Sequence, residues 1–366
     1  MTIPCCLTNR GACLAMAAVL LTLWIGAARA ASPDEIRYFR IGTATSSGTY
    51  FTIGGLIANA ITSPPGAQPC EHGGSCGVPG LIAVAQATSG GIENLELLRN
   101  GALEAAMIQT NLAAGAEQGS GPYAGQPPFT GLRAIATLYV ETVQIVVRAD
   151  SPMHNVADLR GHSISVGEKG SAIALDAETI LDSLGLPPAA SREVYLRPGP
   201  SVDQLVEGSL DALFIVGGAP FAAIDDAARR IPIRLIPISA GQARTIRESQ
   251  PLFAVAQVPA GTYPEVPAVD TVGVGALLAV RADLEDDLVY GITRALWHPS
   301  TRRALEDGFP RGRFLALGPA HDEIPVPLHP GAARYYQEVD AAGTPADHTP
   351  GNHRKPPAAP AAPPDR

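Results

Sequence analysis

Residues 164–238 read ISVGEKGSAIALDAETILDSLGLPPAASREVYLRPGPSVDQLVEGSLDALFIVGGAPFAAIDDAARRIPIRLIPI, and this stretch decides the fold class. Short apolar runs at Ile164–Gly167, Val194–Leu196, Leu210–Val216 and Ile233–Ile238 have the length and residue types of strands. Between them, Ala172–Leu184, Val202–Glu207 and Ala219–Arg229 carry apolar residues at helical spacing. Strand and helix in regular alternation predict an α/β fold, parallel-rich sheets with helices on both faces.

Outward from this block the pattern repeats. On its N-terminal side, Arg37–Gly42 reads as a strand followed by a Thr/Ser/Gly loop. Tyr50, Ile53, Leu56, Ile57, Ala60 and Ile61 then recur at intervals of three and four, which marks a helix. A second unit has a strand at Ile82–Ala87, a turn at Thr88-Ser89-Gly90-Gly91, and a helix from Ile92 that stops at Asn100-Gly101. Ala105–Gln109 follows as a buried strand. Apolar strands at Thr142–Val147 and Leu252–Val258 flank the central block, and Thr271–Val280 and a helix at Leu288–Trp297 come after it. A block entered and left by paired strands predicts a lobe inserted into another. Lobe one is then about 36–142 plus 256–340, lobe two about 143–255, with hinge strands between the lobes at Thr142–Val147 and Leu252–Val258.

The ends are of another kind. Arg10, the apolar run Ala12–Ala27 and Ala28-Arg29-Ala30 have the three parts of a secretory signal peptide, with cleavage expected after Ala30. The run is shorter than the roughly 20 residues of a membrane span. Removal of residues 1–30 takes away two arginines and no acid, moving the formal charge from −9 to −11. That charge argues against nucleic acid as a partner. Residues 341–366, rich in Pro and Ala, have little to bury and are expected to be a disordered tail. Of the five cysteines only Cys70 and Cys76 lie beyond the leader. They bracket Glu71-His72-Gly73-Gly74-Ser75, and in an oxidising compartment they predict a disulfide. A zinc site with His72 is the competing reading, but a fourth ligand is missing nearby. No metal or other cofactor is expected.

Three loops share one design. Thr43-Ala44-Thr45-Ser46-Ser47-Gly48-Thr49, Thr88-Ser89-Gly90-Gly91 and Gly167-Glu168-Lys169-Gly170-Ser171 each follow a strand and open a helix. A helix start has unpaired N–H groups and a positive dipole end, so it can hold a carboxylate, and small residues let one approach. Ordinary capping explains any single loop; three at strand ends, where α/β ligands sit, predict an anion site. Val216-Gly217-Gly218-Ala219-Pro220 has the same placement, with Pro220 suited to a helix start. The candidate ligand-binding residues are Thr45, Ser46, Gly48, Thr49, Tyr50, Ser89, Gly90, Asn94, Gln109, Tyr139, Glu141, Gly170, Ser171, Gly217 and Gly218.

No catalytic residues are expected. The chain has no G-x-S-x-G, no Walker loop and no H-E-x-x-H, and its eight histidines are scattered. An exported α/β enzyme acting on a carboxylate would need Glu141 or Glu168 as its base, without a visible partner for either. A sensor-type binding module would use the same site as a transport protein.

Several segments, taken in order, carry a family resemblance: Ile41-Gly42-Thr43 through Gly48-Thr49-Tyr50, CEHGGSCGVPGLIAVAQA from Cys70 to Ala87, Ser89-Gly90-Gly91-Ile92-Glu93-Asn94-Leu95, and Met107-Ile108-Gln109-Thr110-Asn111. Val156-Ala157-Asp158-Leu159-Arg160-Gly161, Phe214-Ile215-Val216-Gly217-Gly218, Pro259-Ala260-Gly261-Thr262-Tyr263-Pro264 and Pro327-Leu328-His329-Pro330-Gly331-Ala332 extend it. Over about 38–340 the chain resembles the TAXI family of solute receptors of tripartite ATP-independent periplasmic (TRAP) transporters. The resemblance implies a two-lobed periplasmic-binding-protein fold of type II-like form, a periplasmic location, and delivery of a ligand to a TRAP-type membrane permease. It suggests a glutamate-like amino acid or small dicarboxylate as ligand, held around Ser46–Tyr50, Ser89–Asn94, Gln109 and Gly170–Ser171. A monomer is expected. The chain departs from the family at Gly170-Ser171-Ala172-Ile173, where Gly-Ser-Gly-Thr is common, and at Ile108-Gln109-Thr110-Asn111, where Val-Gln-Ser-Asp is common.

Overall fold

A computed structural model describes residues 36–308 and 324–341. The expected leader at 1–30 and the tail after Ala341 lie outside the described residues. Among the described residues no helix is long and apolar enough to cross a membrane.

The chain opens with β1 (Arg37–Gly42) and α1 (Thr49–Ile61), then β2 (Thr62–Ser63), β3 (Val78–Pro79) and β4 (Leu81–Gln86). Helix α1 forms where the spacing predicts, because Ile53, Ile57 and Ile61 bury one stripe almost completely. Each such side chain contributes about 1.5–3 kcal/mol of burial. There follow α2 (Gly91–Arg99), β5 (Ala105–Gln109), α3 (Thr110–Gln118) and the long β6 (Leu132–Arg148). The middle of the chain gives β7 (Ser163–Ser165), α4 (Ala172–Ser183), β8 (Arg192–Val194), α5 (Pro198–Glu207), β9 (Ala212–Gly217), α6 (Ala222–Arg230) and β10 (Ile233–Ile236). The described chain ends with α7 (Ala240–Ser249), β11 (Ala254–Val258), β12 (Val269–Arg281), α8 (Asp286–Leu296), α9 (Pro299–Gly308) and α10 (Pro330–Ala341).

The strand order is β3-β2-β4-β1-β5-β12-β6-β9-β7-β8, with β10 added on β6 and β11 on β12. The outer strands pair in parallel, β1 with β4 and β5 on one side and β7 with β8 and β9 on the other. The central pairs, β5 with β12, β12 with β6 and β6 with β9, are antiparallel. Two lobes result, each covered on both faces. Along β5 and β12, Met107 and Leu278 enter one core while their neighbours Ile108 and Leu277 enter the opposite one. Along β9, Phe214 and Val216 point to one core, Leu213 and Ile215 to the other. Such two-faced burial is why these strands read as continuous apolar runs without polar alternation.

Strand pairing changes within the first of the two segments expected to link the lobes. Thr142 of β6 is paired with Gly273 of β12 on one side and with Gly217 of β9 on the other, so pairing changes partner there. The second segment differs. Ala254–Val258 pairs only with β12, as an edge strand, and Val255 is exposed. It is β12 that crosses, pairing with β11 over Val269–Gly273 and with β5 over Ala276–Val280. The helix expected from Ala219 starts at Ala222; Ala219 and Pro220, joined by a cis peptide, form a bend before it. Sequence periodicity gives no sign of α3 or α7. Helix α3 buries Leu112, Ala113, Ala114, Gly115 and Ala116 in succession, leaving little polar face to set a period. Helix α7 buries only Ala243 and Ile246 and is set by a Ser239/Gln242 capping box instead.

Candidate functional site

The carboxyl ends of β1, β5 and β9 and the starts of α1, α2 and α4 surround one cavity. Its volume open to the centre of a water molecule is about 90 Å³, room for a small solute. Ten expected residues line it: Thr45, Gly48, Thr49, Tyr50, Ser89, Gly90, Gln109, Glu141, Ser171 and Gly217. Ala44, Gly91, Glu168, Ala172, Ile173, Pro198, Val216 and Phe221 complete the lining. Among them there is no lysine or arginine, so positive potential comes from helix starts alone.

Those starts differ. Gly48 precedes α1 and Gly90 precedes α2, and neither terminus has a side-chain cap. At α1 the Phe51 N–H turns back to the Gly48 carbonyl at 3.2 Å; the earlier N–H groups of these two starts are left for a ligand or solvent. Gly90 holds φ 109° and ψ −160°, a conformation open essentially to glycine alone. Ser89, although in the lining, gives both its N–H and its hydroxyl to Glu93 Oε2 at 2.6 Å. This pairing holds the Glu93 carboxyl below its ordinary range. At α4, Ser171 Oγ accepts from the Ala174 N–H at 3.1 Å, an ordinary cap that still leaves the hydroxyl proton to donate.

Five expected residues fall outside the lining. Ser46 is in the exposed part of its loop, and Gly170 forms the positive-φ turn before Ser171. Gly218 serves packing: a Cβ there would stand 2.8 Å from Thr49 Cγ2 and 3.0 Å from Tyr139 Cε2. Its carbonyl accepts from Thr49 Oγ1 at 3.2 Å, tying the two lobes. Tyr139 is the other side of that contact, buried behind the wall. Asn94 is fully buried and acts as a structural clasp, donating from Nδ2 to the carbonyls of Thr43 and Met107 while Oδ1 accepts from Thr88 Oγ1. With all three bonds spent, it has none for a ligand. Asn94→Ala should therefore cost about 2–3 kcal/mol of stability, since it removes three hydrogen bonds from a buried clasp, and leave solute affinity within twofold. Urea unfolding and calorimetric titration check the two halves of that statement.

Two buried acids meet behind the cavity: Glu141, on β6, belongs to its lining, and Asp176, on α4, lies outside that lining. Gln109 bridges them: its Nε2 donates to Glu141 Oε2 at 3.0 Å and to Asp176 Oδ2 at 2.9 Å. Asn111 Nδ2 adds a bond to Asp176 Oδ1 at 3.1 Å. Burial pushes Glu141 up to about 8, with the Asp176 charge adding to it and the Gln109 bond opposing. Burial likewise pushes Asp176 up to about 7 against the bonds from Gln109 and Asn111. Among the described residues no cation offsets either acid. The Tyr50 hydroxyl faces Glu141 and favours its ionised form, while Gln109 Oε1 and the Tyr139 hydroxyl are buried without hydrogen-bond partners among the described residues. Glu168, the second acid of the lining, is neutralised by Arg197 Nε at 3.0 Å.

Asp176, Phe221 and the buried pair Gln144–Tyr263 escaped sequence reading. Tyr263 Oη accepts from the Phe221 N–H at 2.8 Å and donates to Gln144 Oε1, while Gln144 Nε2 donates to the Gly217 carbonyl at 3.3 Å. This network fixes the β9 wall of the cavity. Asp176 carried a signal, an acid within the helical stripe of Ile173, Ala177 and Ile180, where a charge is seldom buried unpaired. Gln144 and Tyr263 carried none, being 119 residues apart.

Solved structures similar to this chain are distant. The periplasmic aliphatic sulphonate binding protein SsuA from Escherichia coli is 17% identical over 83% of this chain and 91% of its own, with a TM-score of 0.42. A putative L-cystine ABC transporter from Listeria monocytogenes is 13% identical over 74% of this chain and 95% of its own, at 0.44. XAC2383 from Xanthomonas citri, bound to ATP, is 15% identical over 83% and 96%, at 0.43. The family match is of a different order, since one family model spans residues 41–339, most of the sequence. By that match, the chain belongs to the NMT1-like family.

Proposed function

We propose that this protein is a periplasmic solute receptor, exported by the leader at 1–30, that captures a small amino-acid-like organic anion and delivers it to a TRAP-type permease. One observation carries the ligand class: the same cavity joins uncapped helix starts, suited to a carboxylate, with the unpartnered Gln109 Oε1, which can only accept a hydrogen bond, and with Glu141, whose ionised form an ammonium beside it would favour. A solute bearing both a carboxylate and an ammonium satisfies both sets, whereas a plain dicarboxylate brings no donor to Gln109 Oε1. The proposed lobes are about 36–142 with 276–340, and 143–275. Residues 256–275 go to the second lobe because Val258, Tyr263 and Val266 share a core with Val146 and Leu213. Closure brings Thr49 to Gly218 and Gln109 to Asp176, and the solute favours that state by its contacts to both lobes. The permease and the periplasmic location rest on the sequence resemblance.

A thermal-shift series on the protein without residues 1–30 tests this. At a hundred times the dissociation constant a ligand adds about 2.7 kcal/mol. Amino acids with acidic or amide side chains should raise the melting temperature more than the same acids lacking the amino group, and neutral sugars should not raise it. A response to sugars alone would remove the carboxylate reading of the helix starts.

A further inference from the structure

The loop between α1 and β4 lies against the junction of α8 and α9, in the first lobe, and shares no residue with the solute cavity. A bridge between Pro69 and Ser75 closes the loop, and a disulfide joins Cys70 to Cys76. Nearby sequence offers Glu71 and His72 as further ligands, both exposed. The fold supplies another from 228 residues away: His298 Nε2 stands 3.8 Å from Cys70 Sγ. Both sulfurs and one nitrogen of this ring lie within 4.8 Å of one another.

We propose that, once the disulfide is reduced, Cys70, Cys76 and His298 form a site for Zn²⁺ with its fourth position open to solvent. Tetrahedral zinc, with Zn–S of about 2.3 Å and Zn–N of about 2.0 Å, sets sulfur and nitrogen about 3.6 Å apart. The observed 3.8 Å needs little movement of the ring. Two thiolates balance the charge of the ion, and two soft sulfurs with an imidazole suit zinc over magnesium or calcium. All three residues are only partly buried, so the ion has a way in. Ser300 fits the ring for the task. Its Oγ lies 2.7 Å from His298 Nδ1 and can accept a hydrogen bond from Nδ1–H, which leaves the Nε2 lone pair for the metal. In the disulfide form the Ser300 N–H, 3.3 Å away, can donate to Nδ1 instead, with the ring proton on Nε2.

The chemistry balances simply. A dithiol reductant gives two electrons and two protons to the disulfide and leaves as its own cyclic disulfide. The two cysteine thiols release two protons as Zn²⁺ binds their sulfurs. A disulfide oxidant that takes two electrons from the two thiolates, and is itself reduced to thiols, re-forms the Cys70–Cys76 bond and expels the ion, because bonded sulfurs are no longer thiolates. Metal occupancy thus reads the redox state of the surroundings.

The test uses the full chain, reduced by a dithiol that is then removed without air, and Co²⁺ as the probe for Zn²⁺. The reduced protein should bind one Co²⁺ per chain with a thiolate-to-cobalt charge-transfer band, which Zn²⁺ bleaches. The disulfide form should show no such band. His298→Ala, a partly exposed position, should weaken Zn²⁺ binding at least about tenfold without changing the thiol count. Absence of the band in the reduced protein overturns the proposal. Equal affinity in His298→Ala also overturns it, including the case in which reduction unfolds the chain and the thiols bind metal unaided.

Discussion

Glu141→Gln is expected to raise the melting temperature of the unliganded protein at pH 8 and to weaken binding of an amino-acid solute at least about a hundredfold. The stability half follows from proton linkage. Burial lifts the Glu141 carboxyl to about 8, far above its ordinary range near 4.5. Between those values the folded chain holds a proton that the unfolded chain has released. Stability is therefore full below about pH 4.5, falls as pH rises, and levels off once Glu141 ionises near pH 8. Asp176, lifted to about 7, adds a slope of the same sign. Glutamine keeps the shape and cannot ionise, so the variant should lose much of this slope. The binding half has the opposite sign. A hydrogen-bonded ammonium–carboxylate contact in a buried site is worth a few kcal/mol, and a hundredfold is about 2.7 kcal/mol. Melting curves from pH 5 to 9 and calorimetric titration read the two effects. An unchanged pH slope, or unchanged affinity, would remove Glu141 from the role given to it.

Gln109→Leu should cost about 2–5 kcal/mol at pH 8 and clearly less at pH 5. The amide is the one donor group shared by Glu141 and Asp176, and it links a strand of the first lobe to a helix of the second. Leucine fills nearly the same volume but leaves two buried acids short of a donor and facing one another as they ionise. Breaking a buried charged contact from one side is costly for that reason. At pH 5 both acids carry protons and can donate for themselves, which blunts the loss. Urea unfolding at the two pH values measures the difference. Equal losses would mean that the side chain matters by packing and not by its bonds. Adding Glu141→Gln and Asp176→Asn should recover most of the stability, because the unpaired charge is then gone. Stability and function are opposed here, as is common where a site holds groups poised for a ligand.

Much of this protein was local, and local features are legible. The alternation of strand and helix was written in residue spacing, from the Ile53, Ile57, Ile61 stripe of α1 to the apolar run of β9. The loops that open α1 and α4 announced themselves by glycine and serine at strand ends, and both reach the cavity. Cys70 and Cys76, six residues apart, could be paired without knowing the fold.

What spacing could not give was which segments meet. Thr142–Val147 had the mark of a strand, but only pairing shows that β6 runs for 17 residues and changes partner at Thr142. Leu252–Val258 had the same mark and proved to be an edge, while β12 made the crossing. Asn94 sat in the right loop for a ligand contact, and the fold spent it on its own backbone. The acid bridge at Gln109 joins residues 32 and 67 positions away, and the imidazole beside the disulfide comes from 228 positions away. The sequence by itself determined the α/β class, the helix starts and the sulfur pair, because each rests on contacts within one turn or one loop. The tertiary structure alone decided the acidity of the cavity, the hinge strands and the third ligand beside the sulfurs, because each depends on desolvation and packing between distant parts of the chain.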